Sequence, residues 1–141
     1  MKVNVLLVLG VFLVLGIGPV CADSPMNLTG KWIQQTIEGF RYSGESLNSS
    51  ATDDYWTLTQ NGNLVSGTNY FNDSTKLVQE PVAGSISPDE KIVYIVDSSG
   101  GTYIAHITDE DTLMVNYINT GTKKAESNYA FALYQVLKRE K

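Results

Sequence analysis

Few side chains in this sequence have the chemistry that catalysis or metal binding requires. His106 is the only histidine and Cys21 the only cysteine among 141 residues. Zinc sites gather several His, Cys or carboxylate ligands at short spacing, so these two residues do not predict one. No Gly-x-Ser-x-Gly segment or other nucleophile motif accompanies the histidine. The sequence therefore predicts a protein that is not an enzyme and that uses no metal and no cofactor.

Acidic residues cluster at Asp53-Asp54 and at Asp109-Glu110-Asp111. Their oxygens suit calcium, but the second run lacks the alternating spacing of a calcium-binding loop. Aspartate is also common in turns, where its side chain binds nearby backbone amides, so we expect turns at both places.

The formal net charge is −5, and basic groups cluster only at Lys123-Lys124 and in the C-terminal tail. That balance argues against nucleic acid as a partner.

A third group of side chains could bind a molecule rather than react with it. Most aromatic residues fall on segments with strand periodicity, and amide side chains are interleaved with some of them. Apolar walls with a few polar groups are typical of ligand pockets. If Trp32 points inward, alternation turns Gln34 and Thr36 inward as well. The interior candidates for ligand binding are Trp32, Gln34, Trp56, Asn69, Phe71, Tyr94 and Asn116. An interior packed solid by these same side chains is the competing interpretation.

Short alternating segments closed by turn residues must position these side chains. Asn61-Gly62 between two such segments is a strong hairpin signal, because both residues tolerate positive φ. Residues 39–52, rich in Gly and Ser, are expected to form a loop. The last segment could also be helical, but its aromatic residues favour a strand. The eight predicted strands are 30–37, 54–60, 64–71, 80–87, 91–97, 102–108, 113–120 and 128–138.

The predicted strands need an arrangement that hides their edges. Two stacked sheets or one closed barrel would do so. Sequential hairpins of similar length, with no long crossover, favour an all-β fold with an eight-stranded antiparallel up-and-down meander barrel. The interior of such a barrel is just wide enough for its own side chains or for one small ligand.

Leu28-Thr29-Gly30-Lys31-Trp32 resembles the Gly-x-Trp first strand of calycin barrels, and of avidins in particular. The segment 56–63 and the following Ser66-Gly67-Thr68 resemble the next two avidin strands. The resemblance implies that Gly30 lets the chain enter the strand tightly. It also implies that Trp32 plugs the closed end of the barrel under Arg139 or Lys138, through a cation–π contact.

The residues that bind biotin in avidins are not matched. The corresponding positions hold Gln34 and Glu38 in the first strand, and Asn69 and Phe71 after the first hairpin. Each unmatched polar group of a buried ligand costs about 1–3 kcal/mol, so biotin is not the expected ligand. Lipocalins are the neighbouring comparison, but the sequence lacks their C-terminal helix and their disulfides.

The first 22 residues have the pattern of a signal peptide. Lys2 gives a positive start, residues 3–20 are almost wholly apolar, and Val20-Cys21-Ala22 offers a small residue for cleavage. Cleavage there leaves an N-terminal arm at 23–29 and a barrel domain at 30–141. A retained membrane span and a lipidated Cys21 are the alternatives.

Export has consequences for the mature chain. Without Cys21 it can form no disulfide, and it would be secreted or held in the cell envelope. Three Asn-x-Ser/Thr sequons, at Asn27, Asn48 and Asn72, are then candidate glycosylation sites.

Two functions fit this pattern. The leading hypothesis is an exported, non-catalytic barrel that binds a small amphipathic molecule in its interior. The alternative is an interaction module that acts through its outer face or the 39–52 loop, without an internal ligand. A homo-oligomer would also suit the segment 92–96, which is apolar on both faces.

Overall fold

The computed structural model describes residues 26–50, 53–72, 75–121 and 130–141, with the side chains of residues 49 and 50 excepted. The predicted signal peptide and Cys21 lie outside them. None of the described residues belongs to a helix that could cross a membrane. The strands are β1 (Gly30–Arg41), β2 (Ser46–Ser50), β3 (Tyr55–Asn61), β4 (Leu64–Asn72), β5 (Leu77–Ile86), β6 (Ile92–Asp97), β7 (Thr102–Asp109), β8 (Thr112–Asn119) and β9 (Phe131–Arg139).

These strands form one antiparallel sheet that closes on itself. From β3 to β9 each strand pairs with the next along the chain, and β1 pairs with both β3 and β9. The result is the predicted eight-stranded meander barrel, so the fold class is confirmed. The β3–β4 hairpin turns at Gly62 and Asn63, because Asn61 pairs with Leu64. Gly62 has a φ of 57°, the left-handed conformation that a two-residue hairpin turn requires.

The prediction of a loop over 39–52 is wrong for most of that range. β1 continues to Arg41, and the chain turns at residues 42–45 and returns as β2. β2 pairs with the second half of β1, from Thr36 to Phe40, on the edge whose first half pairs with β3. Serine and asparagine have weak strand preference, so the pattern gave no sign of a strand that depends on pairing with its neighbour.

A β-bulge between Gln34 and Thr36 changes which face the second half of β1 presents to the interior. Before the bulge Gln34 lies opposite Leu137, and after it Ile37 lies opposite Gln135. Leu137 and Gln135 are both buried, so Gln34 and Ile37 face inward. The expectation that Thr36 points inward is therefore wrong, because the extra residue shifts the alternation by one.

Buried apolar side chains form one cluster inside the barrel. Eight of the largest are almost completely inaccessible to solvent: Leu28, Trp32, Trp56, Val93, Ile95, Leu113, Val115 and Leu137. We call the end that holds Leu28, Trp32 and Arg139 the plug end. The opposite end, which holds Tyr103, Tyr117 and Phe131, is called the aromatic end.

Candidate ligand-binding interior

The plug end is closed by a tryptophan under an arginine. The Arg139 guanidinium lies 4.4 Å from the centre of the Trp32 ring, and the two residues are paired across β1 and β9. The Trp32 indole donates a hydrogen bond to the Leu28 carbonyl at 3.0 Å, which holds the chain before β1 across the end. Gly30 has a φ of 145°, and a Cβ there would come within 3.3 Å of Arg139 Nη1. Glycine therefore allows both the backbone conformation and the close approach of the guanidinium.

Arg139 also joins three segments of backbone. Its guanidinium donates to the carbonyls of Asn27, Thr29 and Glu110 at 2.6–3.1 Å. Its Nε lies 3.3 Å from a carboxylate oxygen of Asp111. The polar groups of the plug are thus bonded to each other, and the plug end has a structural role.

Four rings form a ladder through the aromatic end. Trp56 meets Tyr103 edge-on with centroids 4.8 Å apart, Tyr103 lies 4.2 Å from Tyr117, and Tyr117 lies 5.3 Å from Phe131. β3 and β7 are four strands apart in an eight-stranded barrel, so the contact between Trp56 and Tyr103 spans the interior. Gly101 makes room for this arrangement, because a Cβ there would overlap the Tyr117 ring.

Polar groups are attached to this ladder. The Asn69 amide donates to the Tyr103 hydroxyl at 3.3 Å, and the Tyr117 hydroxyl donates to Asp97 Oδ2 at 2.8 Å. Asp97 Oδ1 accepts from the backbone amides of Ser99 and Gly101 at 2.9 and 2.7 Å. Asp97 therefore fixes both the β6–β7 turn and the position of the Tyr117 ring.

Burial and hydrogen bonding shift the pKa of the Asp97 carboxyl in opposite directions. Burial by itself would raise the pKa of this carboxyl. Hydrogen bonds from Gly101, Ser99 and Tyr117 outweigh it and hold the pKa below its ordinary value. Asp97 is thus a carboxylate inside the barrel at neutral pH.

The two tyrosines of the ladder stay neutral. Burial raises the pKa of Tyr117 to about 12. Burial also raises the pKa of Tyr103, and the neighbouring Tyr117, Asp97 and Glu80 raise it further. Both hydroxyls are therefore hydrogen-bond donors and acceptors across the physiological range.

Two glutamine side chains face the interior from β1 and β9. Gln34 is 5% exposed and Gln135 is 4% exposed, and they belong to successive inward-facing pairs of the β1–β9 ladder. Within the described residues no hydrogen bond involves the Gln135 amide. The amide atoms are not among the described side-chain atoms that are both buried and without a partner, so the amide keeps some contact with solvent.

The structure separates the predicted interior residues into two groups. Trp32, Gln34, Trp56 and Asn69 are buried inside the barrel. Phe71 is half-buried and lies on the same face of β4 as Asn69.

Tyr94 and Asn116 lie on the outer face, so their predicted interior position is wrong. Tyr94 is 48% exposed because β6 turns Val93 and Ile95 inward. An apolar run such as 92–96 does not reveal which of its faces is buried. Asn116 is exposed between the buried Val115 and Tyr117, and that alternation is a signal that the prediction missed.

Sequence reasoning also missed several groups of the aromatic end. Tyr103, Tyr117 and Gln135 were not singled out as site residues, although each alternates in phase with buried apolar neighbours. The alternation of Tyr103 with Ala105 and Ile107 could have found the first of them. Asp97 gave no such signal, because an aspartate at the end of a strand is normally a turn residue.

The remaining candidates lie on the outside. Asn27, Asn48 and Asn72 are exposed, and His106 is exposed on β7. Among the described residues, no three His, Cys, Asp or Glu side chains form a group that could hold a metal ion.

Comparison with solved structures identifies the architecture. An odorant-binding protein named OBP1 superposes with a TM-score of 0.54 and 14% identity, covering 83% of this chain and 74% of the other. A bovine odorant-binding protein, a deswapped triple mutant, gives 0.51 and 12% over 83% and 75%. A dog lipocalin allergen gives 0.53 and 14% over 79% and 73%. The fold is that of a calycin-like barrel.

The likeness extends to the fold alone. No protein-family model and no curated protein sequence matches the chain significantly. A calycin-like barrel can hold a ligand along its axis or be filled by its own side chains. The function must therefore be argued from the interior of this chain.

Proposed function

We propose that this protein is an exported, non-catalytic binder of one small amphipathic molecule, held in the interior of the barrel at the aromatic end. The observation that carries the proposal is the inward-facing Gln135 side chain, which is 4% exposed and whose amide makes no hydrogen bond to another described residue but keeps a small contact with solvent. A ligand with a polar head group would supply a hydrogen-bond partner. The neighbouring rings would pack against its apolar part.

The two ends of the interior differ in their capacity for a ligand. At the plug end the polar atoms of Trp32 and Arg139 bond to backbone carbonyls. At the aromatic end, rings and buried amides occur together, which is the usual lining of a ligand pocket. Ring faces contact apolar groups without strict geometry, whereas the amide fixes the orientation of the head group.

The solved structures support the proposal in a limited way. Two of the neighbours are named odorant-binding proteins, so barrels of this shape include small-molecule binders. At 12–14% identity the site residues do not transfer, and the ligand must suit Gln135 and the ladder of this chain.

An outer groove is a weaker candidate for the ligand site. It encloses about 390 Å³ and is lined by residues of β3, β4 and β5, including Thr59, Leu64 and Ser66. Leu64 is 65% exposed there, and none of the lining residues is charged. Such a groove offers little to orient a molecule.

Calorimetry with 4-phenylbutan-1-ol, which has an aromatic body and a hydroxyl head, tests the proposal. We expect saturable binding of one molecule per chain. Gln135→Leu should weaken it about five- to tenfold, because one hydrogen bond is worth about 1 kcal/mol. The matched control is Gln79→Leu, an exposed glutamine on β5 that should leave binding unchanged.

Absence of saturable binding to the folded protein would refute an internal site for this class of molecule. Equal weakening by both glutamine variants would refute the assignment to Gln135. Native mass spectra of the same samples report the oligomeric state. They therefore also test the alternative, an interaction module that acts through its outer face.

A further inference from the structure

One wall of the barrel is apolar on its outer side. Its strands β6, β7 and β8 contain two acidic residues, Asp97 and Asp109. Asp97 is buried, and Asp109 lies at the turn into β8. Burial alternates along these strands, so every second side chain points outward. In this fully described part of the chain, the outward positions between the strand ends hold no Asp, Glu, Lys or Arg.

Large apolar side chains are exposed on this wall. Tyr94 and Val96 are 48% and 55% exposed, and Met114 and Ile118 are 38% and 54% exposed. Exposed apolar residues scattered singly are normal on a protein surface, whereas a contiguous patch marks an interaction site. We call the outward side of β6, β7, β8 and the adjoining β9 the apolar wall.

A row of side chains crosses the apolar wall from β6 to β9. Val96 is paired with Thr102, Thr102 with Ile118, and Ile118 with Ala132. Directly paired residues of an antiparallel sheet point to the same side, so large and small side chains alternate along the row. The large ones stand out and the small ones leave hollows between them. The row therefore has the shape of its own partner, because a two-fold axis between Thr102 and Ile118 places each large side chain over a small one.

The charge of the protein favours a second copy as the occupant of the wall. A strongly acidic or basic partner is recognised by complementary charges, and between its strand ends the apolar wall carries none. Two copies of this chain, each with a formal net charge of −5, repel each other through the surfaces that carry their acidic groups. At the apolar wall they can approach with the least repulsion.

The size of the wall fits a weak dimer. Its four strands lie about 4.8 Å apart, and three outward residues per strand follow each other at about 6.7 Å, so it covers about 20 by 20 Å. Two such faces bury about 800 Å² in projection, and side chains that stand out from the sheet increase the accessible area that is lost. Weak specific interfaces begin near about 1,000 Å².

We propose that two copies of this chain form a homodimer through their apolar walls, packed sheet against sheet around a two-fold axis. Ile118 of each copy packs over Thr102 of the other, and Val96 packs over Ala132. The contact lies on the side of the barrel. It is therefore compatible with a ligand in the interior and independent of it.

Sedimentation equilibrium of the protein from about 1 µM to about 1 mM tests the proposal. We expect a reversible monomer–dimer equilibrium. Ile118→Lys should raise its dissociation constant at least about tenfold, because the contact would bury a charge on an apolar face. Thr59→Lys is the matched control. It adds the same charge at an exposed outward position of β3 and should leave the dissociation constant unchanged.

A mixture of Ile118→Lys and Ile118→Glu tests whether both copies use the same face. Each variant alone brings two like charges together across the two-fold axis. Walls of opposite charge attract each other, so the mixture should associate more tightly than either variant alone. Circular dichroism checks that each variant is folded, which an exposed position such as Ile118 allows.

The outcomes decide each part of the proposal. A protein that stays monomeric up to about 1 mM would overturn the dimer and leave the proposed interior binding untouched. A dissociation constant that Ile118→Lys does not change, or that Thr59→Lys raises equally, would overturn the assignment to the apolar wall. A mixture that associates no more tightly than its components would overturn the two-fold contact.

Discussion

The two ends of this barrel are built from the same strands but differ in how their polar groups are paired. At the plug end Arg139 covers Trp32 and bonds to three backbone carbonyls, so the polar atoms that lie there are paired. At the aromatic end the Gln135 amide makes no hydrogen bond to another described residue, and the buried Asp97 carboxylate is bonded to one of the rings. Stability explains the first arrangement. It does not explain the second, which suits a bound molecule, and substitutions at the two ends should therefore behave differently.

The largest effect is expected from Trp32→Ala. Removing a fully buried indole leaves a cavity and breaks the contact with Arg139, at a cost of about 3–5 kcal/mol in the free energy of unfolding. Urea unfolding followed by circular dichroism measures it. A loss below about 1 kcal/mol would mean that the plug end can collapse around the gap and is not the rigid end of the barrel.

Asp97→Ala should have the next largest effect. It leaves the Tyr117 hydroxyl and the backbone amides of Ser99 and Gly101 without their acceptor, which costs about 2–4 kcal/mol. Asp89→Ala is the control, because Asp89 makes similar turn hydrogen bonds at an exposed position. Equal unfolding midpoints for the two variants would show that burial does not strengthen the role of Asp97.

The same carboxylate predicts how stability depends on pH. The pKa of Asp97 is lower in the folded protein than in the unfolded chain, so the unfolded chain binds the proton first as the pH falls. The stabilisation is present above a pH of about 4 and is lost as the pH falls through the folded pKa. Asp97→Asn should therefore make the acid side of the stability curve less steep. Parallel curves for the variant and the unmodified protein would contradict this account.

Arg139→Met should cost less, about 1–2 kcal/mol, since the methionine still covers the Trp32 ring but neither charges nor hydrogen bonds remain. Arg139→Lys should restore only part of this loss, because an ammonium cannot serve three carbonyls in the fixed geometry of a guanidinium. Thermal melts of the three proteins measure both effects. Full rescue by lysine would show that charge alone closes the plug end.

The smallest expected effect has the opposite sign. Gln135→Leu replaces an amide that bonds to no other described residue by an apolar group of similar size, which should stabilise the ligand-free protein by up to about 1 kcal/mol while it weakens ligand binding. Unfolding in urea without and with the probe separates the two effects. A destabilised variant would show that the Gln135 amide is satisfied in the ligand-free protein, and the contrast between the two ends would disappear.

The sequence predicted the two ends with unequal success. Gly30 and Trp32 belong to a short motif, and the resemblance that the motif carries also predicted a basic cover for Trp32. The structure places the Arg139 guanidinium 4.4 Å from the centre of the Trp32 ring. At the aromatic end, alternation correctly placed Trp56 and Asn69 inside but gave the wrong face for Tyr94 and Asn116. The difference arises because a motif fixes the orientation of its own residues, whereas an isolated strand has two faces that look alike when both are apolar.

The sequence by itself determined the eight strands of the barrel, most of their bounds and the meander order, because alternation and turn residues are local properties of the chain. Only the tertiary structure decided the bulge after Gln34, the pairing of β2 with β1 and the meeting of Trp56 with Tyr103 across the interior. Each of these depends on closure of the barrel. Closure brings together residues far apart in sequence, and it turned one glutamine of the last strand toward the interior.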